Sequence, residues 1–352
     1  MKAEAAHRIS RTALERSMSS IKGFFLSWVI FHVFRCGIFE HFRVGITVSE
    51  LCKSLGLDAE VMRGIARFLL TEGIIENRGQ KLTLTAYGKN LRHHVGWFTL
   101  FVGGYGPTMQ ALPAILDGGK SRSVRNEADV AFGSGEIDCF DLIPLIIRII
   151  RKWSIPTGYI VDLGCGSGSC LIELCTLFPL LRATGVAMDA PTVSLVTDRV
   201  RARGLLERIS IVQCNMRDFK CIATPDLVLC AFVLQEVAYQ EGVPAVKAFL
   251  TELGRTHPGA LVLVVEVPKR ESAHAVRKLE FGPYYSCYSL IHSLTRQRLL
   301  SASEWRAIFC HAGYRIVDEA RVEESVDPFG VEVGYLLRYR AAGGRRSGIR
   351  RA

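Results

Sequence analysis

The stretch from Tyr159 to Cys175 reads YIVDLGCGSGSCLIELC and holds three patterns in succession. The apolar run 159–163 has the length of one buried parallel strand. A turn from Gly164 to Gly168, with glycine at every second position, follows it, and the apolar residues after the turn repeat at helical spacing. We therefore predict a strand, a glycine turn and a helix. Such a turn lets the backbone pass close to a ligand at the N-terminus of the helix.

The spacing of the glycines narrows the choice of ligand. A dinucleotide-binding turn reads G-x-G-x-x-G, but here the third glycine comes one position early, at Gly168, and position 169 is serine. The chain also lacks a G-x-x-x-x-G-K-[ST] phosphate-binding loop. The sequence D-L-G-x-G-x-G instead resembles motif I of the class I methyltransferases that use S-adenosylmethionine (SAM). This resemblance implies that SAM is bound by four residues of the motif, Asp162, Gly164, Gly166 and Gly168.

Further apolar runs after the motif complete a parallel sheet of this kind. The second strand, 181–191, contains Asp189, and the resemblance implies that this carboxylate accepts hydrogen bonds from both ribose hydroxyls of SAM. The alternative is an aspartate that caps the following loop. The third strand, 209–219, contains Asn215 and Met216, where the family often has Asp-Met beside the adenine. Because ligands gather at the carboxyl ends of parallel strands, these three residues complete the expected SAM site.

The whole pattern predicts an α/β fold, a Rossmann-like class I methyltransferase sheet with an N-terminal helical and winged-helix domain. We expect a helical and winged-helix dimerisation domain, a connector that caps substrate and cofactor, a SAM-binding catalytic domain and a basic disordered tail, over residues 1–95, 96–156, 157–340 and 341–352. A winged helix recognises DNA or mediates dimerisation. Small-molecule methyltransferases commonly dimerise through this module, so the resemblance favours a homodimer. A SAM-responsive winged-helix regulator is the remote alternative.

Composition limits the partners and the compartment. The net charge of +10 is scattered, with part of it in the tail, so nucleic acid is not expected as a partner. No apolar run reaches the roughly 18 residues of a membrane span, and no signal peptide is visible, so we expect a cytoplasmic protein without a membrane segment. The eleven cysteines form no C-x-x-C pair and are expected to be reduced thiols. The apolar N-terminal helix is expected to be buried by its own domain or by a second subunit.

Three parts of the chain resemble a narrower family. They are 21–26 with 37–40, 103–107 with 133–138, and 292–301. They are similar to the 2-oxo acid β-carbon methyltransferases of the 2-ketoarginine type. This implies methylation of C3 of a small 2-oxo acid, preferentially 2-ketoarginine, in natural-product biosynthesis. The carbon next to a ketone attacks a methyl group only as an enol or enolate, which a chelated cation would stabilise.

Relatives of this kind hold a metal with a histidine after the fourth strand, sometimes an acid after the fifth, and a histidine in a lid. The matching positions, Gln235, Glu266 and His292, are therefore the expected catalytic residues. Glu266 and His292 are candidate ligands for a divalent or ferric ion. An amide at 235 is a weaker ligand than imidazole, so a site without metal stays open.

The substrate is less defined by the sequence. Glu136, Asp138 and Asp141 form an acidic cluster whose members are candidates to pair with a guanidinium group, although a capping role at the next helix is the alternative. Tyr288 lies in the predicted lid, 272–300, and suits an aromatic substrate equally. Gln235 cannot take a proton at pH 7, which argues against a phenol-activating mechanism. An O-, N- or indole-C-methyltransferase of a small secondary metabolite is the alternative function.

Overall fold

The computed structural model describes residues 10–117, 124–270, 272, 274, 276, 282–295, 297–322 and 331–340. The chain divides into two compact units, Met1–Gly103 and Gly104–Ala352. The predicted tail, 341–352, lies outside the described residues.

The N-terminal unit consists of helices and one hairpin. Its elements are α1 (Arg11–Arg35), α2 (Ile38–Val44), α3 (Val48–Leu55), α4 (Ala59–Thr71), β1 (Ile75–Arg78), β2 (Lys81–Leu84), α5 (Ala86–Leu91) and α6 (Val95–Phe98). Thr47 forms a capping box with Glu50 at the start of α3, and Asp58 caps α4. These two helices and the antiparallel β1–β2 hairpin form the winged-helix arrangement expected from the sequence.

Helix α1 is less buried than expected. Ile30 and Val33 pack into the core of the N-terminal unit, but Phe24 and Phe25 are 59% and 56% exposed. Its own domain therefore buries only part of this helix, and burial by a second subunit, the other part of the expectation, stays a prediction. Among the described residues, α1 is the one helix long and apolar enough to cross a membrane by length and composition alone, which is weak evidence for a span. Core helices and signal sequences meet the same criteria.

The C-terminal unit is built around a seven-stranded sheet. Its elements are α7 (Gly106–Gln110), α8 (Leu112–Leu116), α9 (Glu127–Asp138), α10 (Leu142–Lys152), β3 (Tyr159–Leu163), α11 (Ser169–Leu177), β4 (Arg182–Ala187), α12 (Ala190–Ala202), β5 (Ile209–Gln213), β6 (Leu227–Ala231), α13 (Leu234–Gln240), α14 (Val243–Thr256), β7 (Leu261–Glu266), α15 (Gly282–Leu294), α16 (Ala302–His311), β8 (Tyr314–Arg321) and β9 (Val333–Tyr339). The strand order is β5-β4-β3-β6-β7-β9-β8. Strand β9 is antiparallel to both its neighbours, and the other neighbouring pairs are parallel. The predicted fold class is confirmed.

The topology places a ligand crevice beside β3. From β3 the chain moves outward to β4 and β5, and it then returns to the other side of β3 at β6. Such a reversal opens a crevice at the carboxyl ends of the two central strands.

Both faces of the sheet are covered, which explains why its strands are almost continuously apolar. In β3, Ile160 belongs to the core cluster that includes α10 and α11, whereas Val161 and Leu163 belong to the cluster that includes α14 and α16. Asp162 is the one charged residue of this strand, and it is buried. A buried carboxyl group at this position requires a functional or structural reason.

Candidate active site

The glycine turn after β3 is shaped for a close approach of the backbone. Gly164 has a backbone angle φ of 87° and Gly168 has φ of 73°, values that residues other than glycine rarely adopt. A Cβ atom at Gly164 would also lie 2.3 Å from Val233 Cγ1, and one at Gly168 would lie 2.5 Å from Val196 Cγ1. Around Gly166, in contrast, a Cβ atom would meet nothing within 4 Å. The turn is therefore tightly packed at both ends and open in the middle.

Asp162 lies at the carboxyl end of β3, directly before this turn. Burial raises the pKa of Asp162 to about 7. Burial also raises the pKa of Asp138 well above its usual range, and the nearby carboxyl groups of Asp141 and Asp162 raise it further. Within the described part of the chain, no lysine or arginine lowers either pKa. A positively charged ligand beside these carboxyl groups would favour their ionised forms.

Helix α9 packs directly against the turn. A Cβ atom at Gly135 would lie 1.9 Å from Ser167 Oγ, so the helix backbone and the turn are in close contact. Residues 131–138, in the expected connector, form the last eight residues of α9. Glu136 and Asp138 therefore lie at the end of α9 that approaches the glycine turn. Asp141 caps α10, which is the role that the sequence offered as the alternative for this acidic cluster.

Asp189 is exposed and caps α12. Its Oδ1 accepts the backbone N–H of Thr192 at 2.8 Å, and its Oδ2 accepts the hydroxyl of the same residue at 2.8 Å. The loop-capping alternative thus describes its contacts, although each carboxylate oxygen keeps a second lone pair for a ribose hydroxyl. Asn215 accepts the backbone N–H of Arg217 at 3.0 Å, and Met216 packs against the core. The sites of Asp189 and Asn215 follow the neighbouring strands β4 and β5.

A second group of predicted residues meets at the ends of β6 and β7. Gln235 lies in the first turn of α13, Glu266 ends β7, and His292 lies on α15; their exposures are 2%, 0% and 4%. The backbone N–H of Gln235 donates to Glu266 Oε1 at 3.3 Å. The side-chain nitrogen of Gln235 lies 3.2 Å from His292 Nε2. The structure therefore brings these three residues together, with Gln235 between the other two.

The hydrogen bonds define the tautomer of His292. Its Nδ1 lies 2.8 Å from the carbonyl oxygen of Tyr288, and a carbonyl only accepts, so Nδ1 carries the hydrogen. Nε2 is then an acceptor, and the amide N–H of Gln235 donates to it. Burial lowers the pKa of His292 to about 4, so the ring is neutral at pH 7. The Tyr288 ring lies against the imidazole, with 4.0 Å between ring centroids, and its hydroxyl also hydrogen-bonds Gln235.

Among the residues that the structure describes, two oxygen atoms of this group have no hydrogen-bond partner. They are Gln235 Oε1 and Glu266 Oε2, and both are buried. Burial raises the pKa of Glu266 well above its usual range, although the backbone N–H groups of Leu234 and Gln235 act in the opposite direction. A positively charged ligand beside Glu266 would favour its ionised form, in which both carboxylate oxygens accept hydrogen bonds.

The residues present do not match a metal centre. In the described ranges, no group of three or more His, Cys, Asp or Glu side chains could hold a metal ion. Glu266 and His292 are the two candidates from the sequence, and the third neighbour is an amide. That amide also donates to the one nitrogen of His292 that could bind a metal. Structural and catalytic metal sites usually have at least three protein ligands.

A polar network that the sequence does not predict lies next to this group. Arg125 is largely buried and donates to Glu236 at 3.0 Å and to Glu127 at 2.7 Å. Gln297 donates to Glu236 at 2.6 Å, and its Oε1 accepts the hydroxyl of Tyr105 at 3.4 Å. The backbone N–H of Gln297 donates to the carbonyl oxygen of His292 at 3.2 Å, so the network adjoins the His292 group, and the charge of Arg125 also lowers the pKa of His292. No motif surrounds these residues, and they come from four distant parts of the chain.

Comparisons with known proteins show which family the chain belongs to. Residues 160–255 match the family model of a methyltransferase domain. The chain is 33% identical over 338 residues to a 2-ketoarginine methyltransferase of Streptomyces arginensis, which covers 92% of this chain and 95% of that enzyme. The chain is a class I SAM-dependent methyltransferase.

Two further proteins are similar to this chain. The methyltransferase is 26% identical over 268 residues to an indolepyruvate C-methyltransferase of Streptomyces griseus, covering 74% of this chain and 76% of that enzyme. The solved structure of PigF with SAH superimposes with a TM-score of 0.70 at 16% identity, over 94% of this chain and 99% of that one. The second likeness shows the shared fold. The sequence-based identification of a class I methyltransferase is thus confirmed.

Proposed function

We propose that this methyltransferase methylates C3 of a small 2-oxo acid and prefers 2-ketoarginine. The observation that carries the proposal is the buried group of Gln235, Glu266 and His292 at the carboxyl ends of β6 and β7, beside the strand that leads to the glycine turn. Two relatives named for 2-oxo acid methylation support this reading. The type of phenol-activating reaction that needs a general base at position 235 is disfavoured, because the Gln235 amide cannot take a proton.

The residues around the glycine turn fit SAM. The open middle of the turn at Gly166 leaves room for a ligand, and the buried carboxyl groups of Asp162 and Asp138 favour a positively charged one. Asp189 and Asn215 are the proposed partners of the ribose and the adenine. When bound, SAM supplies an electrophilic methyl group on a positively charged sulfur.

We propose that His292 removes the proton from C3 of the substrate. Its Nε2 holds a lone pair inside the site, because Nδ1 is committed to the carbonyl oxygen of Tyr288. A substrate that displaces the Gln235 amide from Nε2 would bring its C3 proton to that atom. Loss of this proton gives the enolate, whose C3 is the nucleophile. A geometry with the reacting carbons about 3–3.5 Å apart would complete the requirement for transfer.

Arg125 is the proposed partner of the substrate carboxylate. It is a largely buried guanidinium next to the His292 group, and guanidinium binds carboxylate through two parallel hydrogen bonds. Its present partners, Glu127 and Glu236, hold it in place. Tyr288 covers the imidazole and is the proposed wall of the substrate site. The expected substrate role of Glu136 and Asp138 stays a prediction.

A metal ion does not enter this proposal, because the donor set contains only two strong ligands. The proposal therefore expects turnover in the presence of a chelator. Turnover that stops with chelator and returns with added metal would contradict this part of it.

We also propose that two copies of the chain pack against each other through α1. Its face with Met18, Ile21, Phe24 and Phe25 is exposed in the single chain, and large exposed apolar surfaces mark interaction sites. Such packing would bury the helix in a protein interface, in line with the expected cytoplasmic dimer. Sedimentation of the purified protein tests it, and a monomer would contradict it.

The function is tested by a methyl-transfer screen read by mass spectrometry. SAM is offered with 2-ketoarginine, phenylpyruvate, indolepyruvate and their parent amino acids, with and without chelator. The proposal expects a methylated 2-oxo acid, with 2-ketoarginine as the best substrate. Methylation at oxygen, nitrogen or an indole ring would transfer the assignment to the alternative class.

A further inference from the structure

Two buried acceptors in the active-site group lack a donor. Gln235 Oε1 and Glu266 Oε2 have no hydrogen-bond partner in the described part of the chain, although their residues are 2% and 0% exposed. Native proteins rarely leave buried polar atoms unpaired, because the lost hydration is not replaced. The other polar atoms of the two side chains are engaged, at His292 Nε2 and at the backbone N–H of Gln235. Both unpaired atoms therefore belong to one site and await a donor.

The other described side chains around them do not supply that donor: the hydroxyl of Tyr288 hydrogen-bonds Gln235, yet Gln235 Oε1 stays without a partner. His292 Nδ1 is committed to the carbonyl oxygen of Tyr288, and Arg125 donates to Glu127 and Glu236. The surroundings also contain acidic groups, because Glu266 and Glu332 are both buried and both act on Tyr288. A ligand with several N–H groups and a positive charge would therefore match the unpaired acceptors and the acidic surroundings of this site.

We infer that Gln235 and Glu266 receive the guanidinium group of the substrate, while Arg125 receives its carboxylate. This inference rests on the proposed function. A guanidinium group is planar and carries five N–H donors, enough for a carboxylate and an amide oxygen together. The ketone and carboxylate of a 2-oxo acid offer only acceptors, so that end of the molecule cannot satisfy Gln235 Oε1 or an ionised Glu266. Its place is at the cationic Arg125.

In this arrangement, the guanidinium group of the substrate does not contact the partners expected from the sequence. Glu136 and Asp138 lie at the C-terminal end of α9, against the glycine turn, whereas Arg125 precedes its N-terminal end. A helix of this length extends over about 18 Å, so the acidic end of α9 and the Arg125 network are far apart. His292 is near both proposed partners, because it lies 3.2 Å from Gln235 and its carbonyl oxygen accepts the backbone N–H of Gln297 in the Arg125 network. This is where C3 has to be.

The test compares two substrates that differ only in the tail. The ratio of kcat/KM for 2-ketoarginine to that for 2-oxohexanoate, which has no N–H donor, is measured with the wild type and with Glu266→Gln. Because both substrates undergo the same C3 methylation, the ratio isolates recognition of the tail. The wild type is expected to prefer 2-ketoarginine, and Glu266→Gln is expected to lower the ratio by about 10- to 100-fold. Gln235→Met removes the second acceptor at similar volume and lowers the ratio in the same direction.

A matched control and a binding measurement complete the test. Glu252→Gln, at an exposed position of α14, leaves the ratio unchanged. In calorimetry, we expect propylguanidine, used as the probe, to bind the wild type and not to bind Glu266→Gln. Binding of SAM to the variant checks that it is folded. An unchanged ratio in both active-site variants, a wild type that prefers 2-oxohexanoate, or no binding of propylguanidine overturns the inference. Absence of C3 methylation on every 2-oxo acid refutes the proposed function instead, and the calorimetry then still decides whether a guanidinium binds.

Discussion

Substitution of Gly135 by alanine tests the contact between α9 and the glycine turn. The new Cβ would lie 1.9 Å from Ser167 Oγ and 2.9 Å from Ser167 Cβ. Rotation of the hydroxyl removes the first overlap but leaves the second, so α9 or the turn has to move. Overpacking of this kind costs about 1–3 kcal/mol, which corresponds to a fall in Tm of about 2–4 °C per kcal/mol for a domain of this size. Because the turn carries the predicted SAM contacts, we also expect SAM to bind at least about tenfold more weakly, or about 1.4 kcal/mol.

The assay combines thermal unfolding with calorimetric titration of SAM. The matched control is Gly64→Ala in the interior of α4, where a Cβ atom would meet nothing within 4 Å. Replacement of glycine by alanine in a helix stabilises it by about 0.5–1 kcal/mol, so this variant gains stability and keeps its SAM affinity. The same chemical change thus has opposite signs at the two positions. Wild-type stability and SAM affinity in Gly135→Ala would refute the close packing of α9 on the turn.

Three further predictions follow from the site. The pKa of Asp162 in the folded protein is raised to about 7, so the folded state loses stability as pH rises from about 4 to 7. The substitution Asp162→Asn removes this loss of stability. It also removes the negative charge that favours a cationic ligand. SAM affinity of the wild type should therefore rise with pH through about 7 and that of Asp162→Asn should not, as calorimetry between pH 5.5 and 8.5 will show; parallel curves would contradict this. Asp189→Ala loses the cap on α12, costing about 1 kcal/mol in urea unfolding, and weakens SAM binding, whereas an unchanged SAM affinity would leave only the capping role. Gln235→His adds a third ligand-type side chain to Glu266 and His292 and should bind zinc, measured as metal content after dialysis; a metal-free variant would argue against their convergence.

The sequence predicts the C-terminal unit well because its strands are short apolar runs that end in turn residues. The Asp-Leu-Gly motif identifies β3, and the order of the later strands follows from the class of fold. The burial of α1 is a different matter. Its apolar residues surround the helix, and a sequence contains no information on whether the missing contact comes from the same domain or from another molecule.

The site is predicted in part for the same kind of reason. Gln235, Glu266 and His292 follow recognisable strands or lie in the segment expected to cover them, so their meeting could be foreseen. Arg125 and Gln297 lie outside such positions, and only the fold brings them to Glu236. The role of Asp189 as a cap was foreseen as an alternative, because an aspartate before a helix serves either purpose.

The central claim is that C3 of a 2-oxo acid receives the methyl group. It is tested most directly with SAM that carries a ¹³C-labelled methyl group, 2-ketoarginine as substrate, and NMR of the isolated product. The account predicts one labelled methyl group coupled to the carbon next to the ketone, formed in the presence of chelator. A label on oxygen or nitrogen, or no transfer to 2-oxo acids at all, would contradict it.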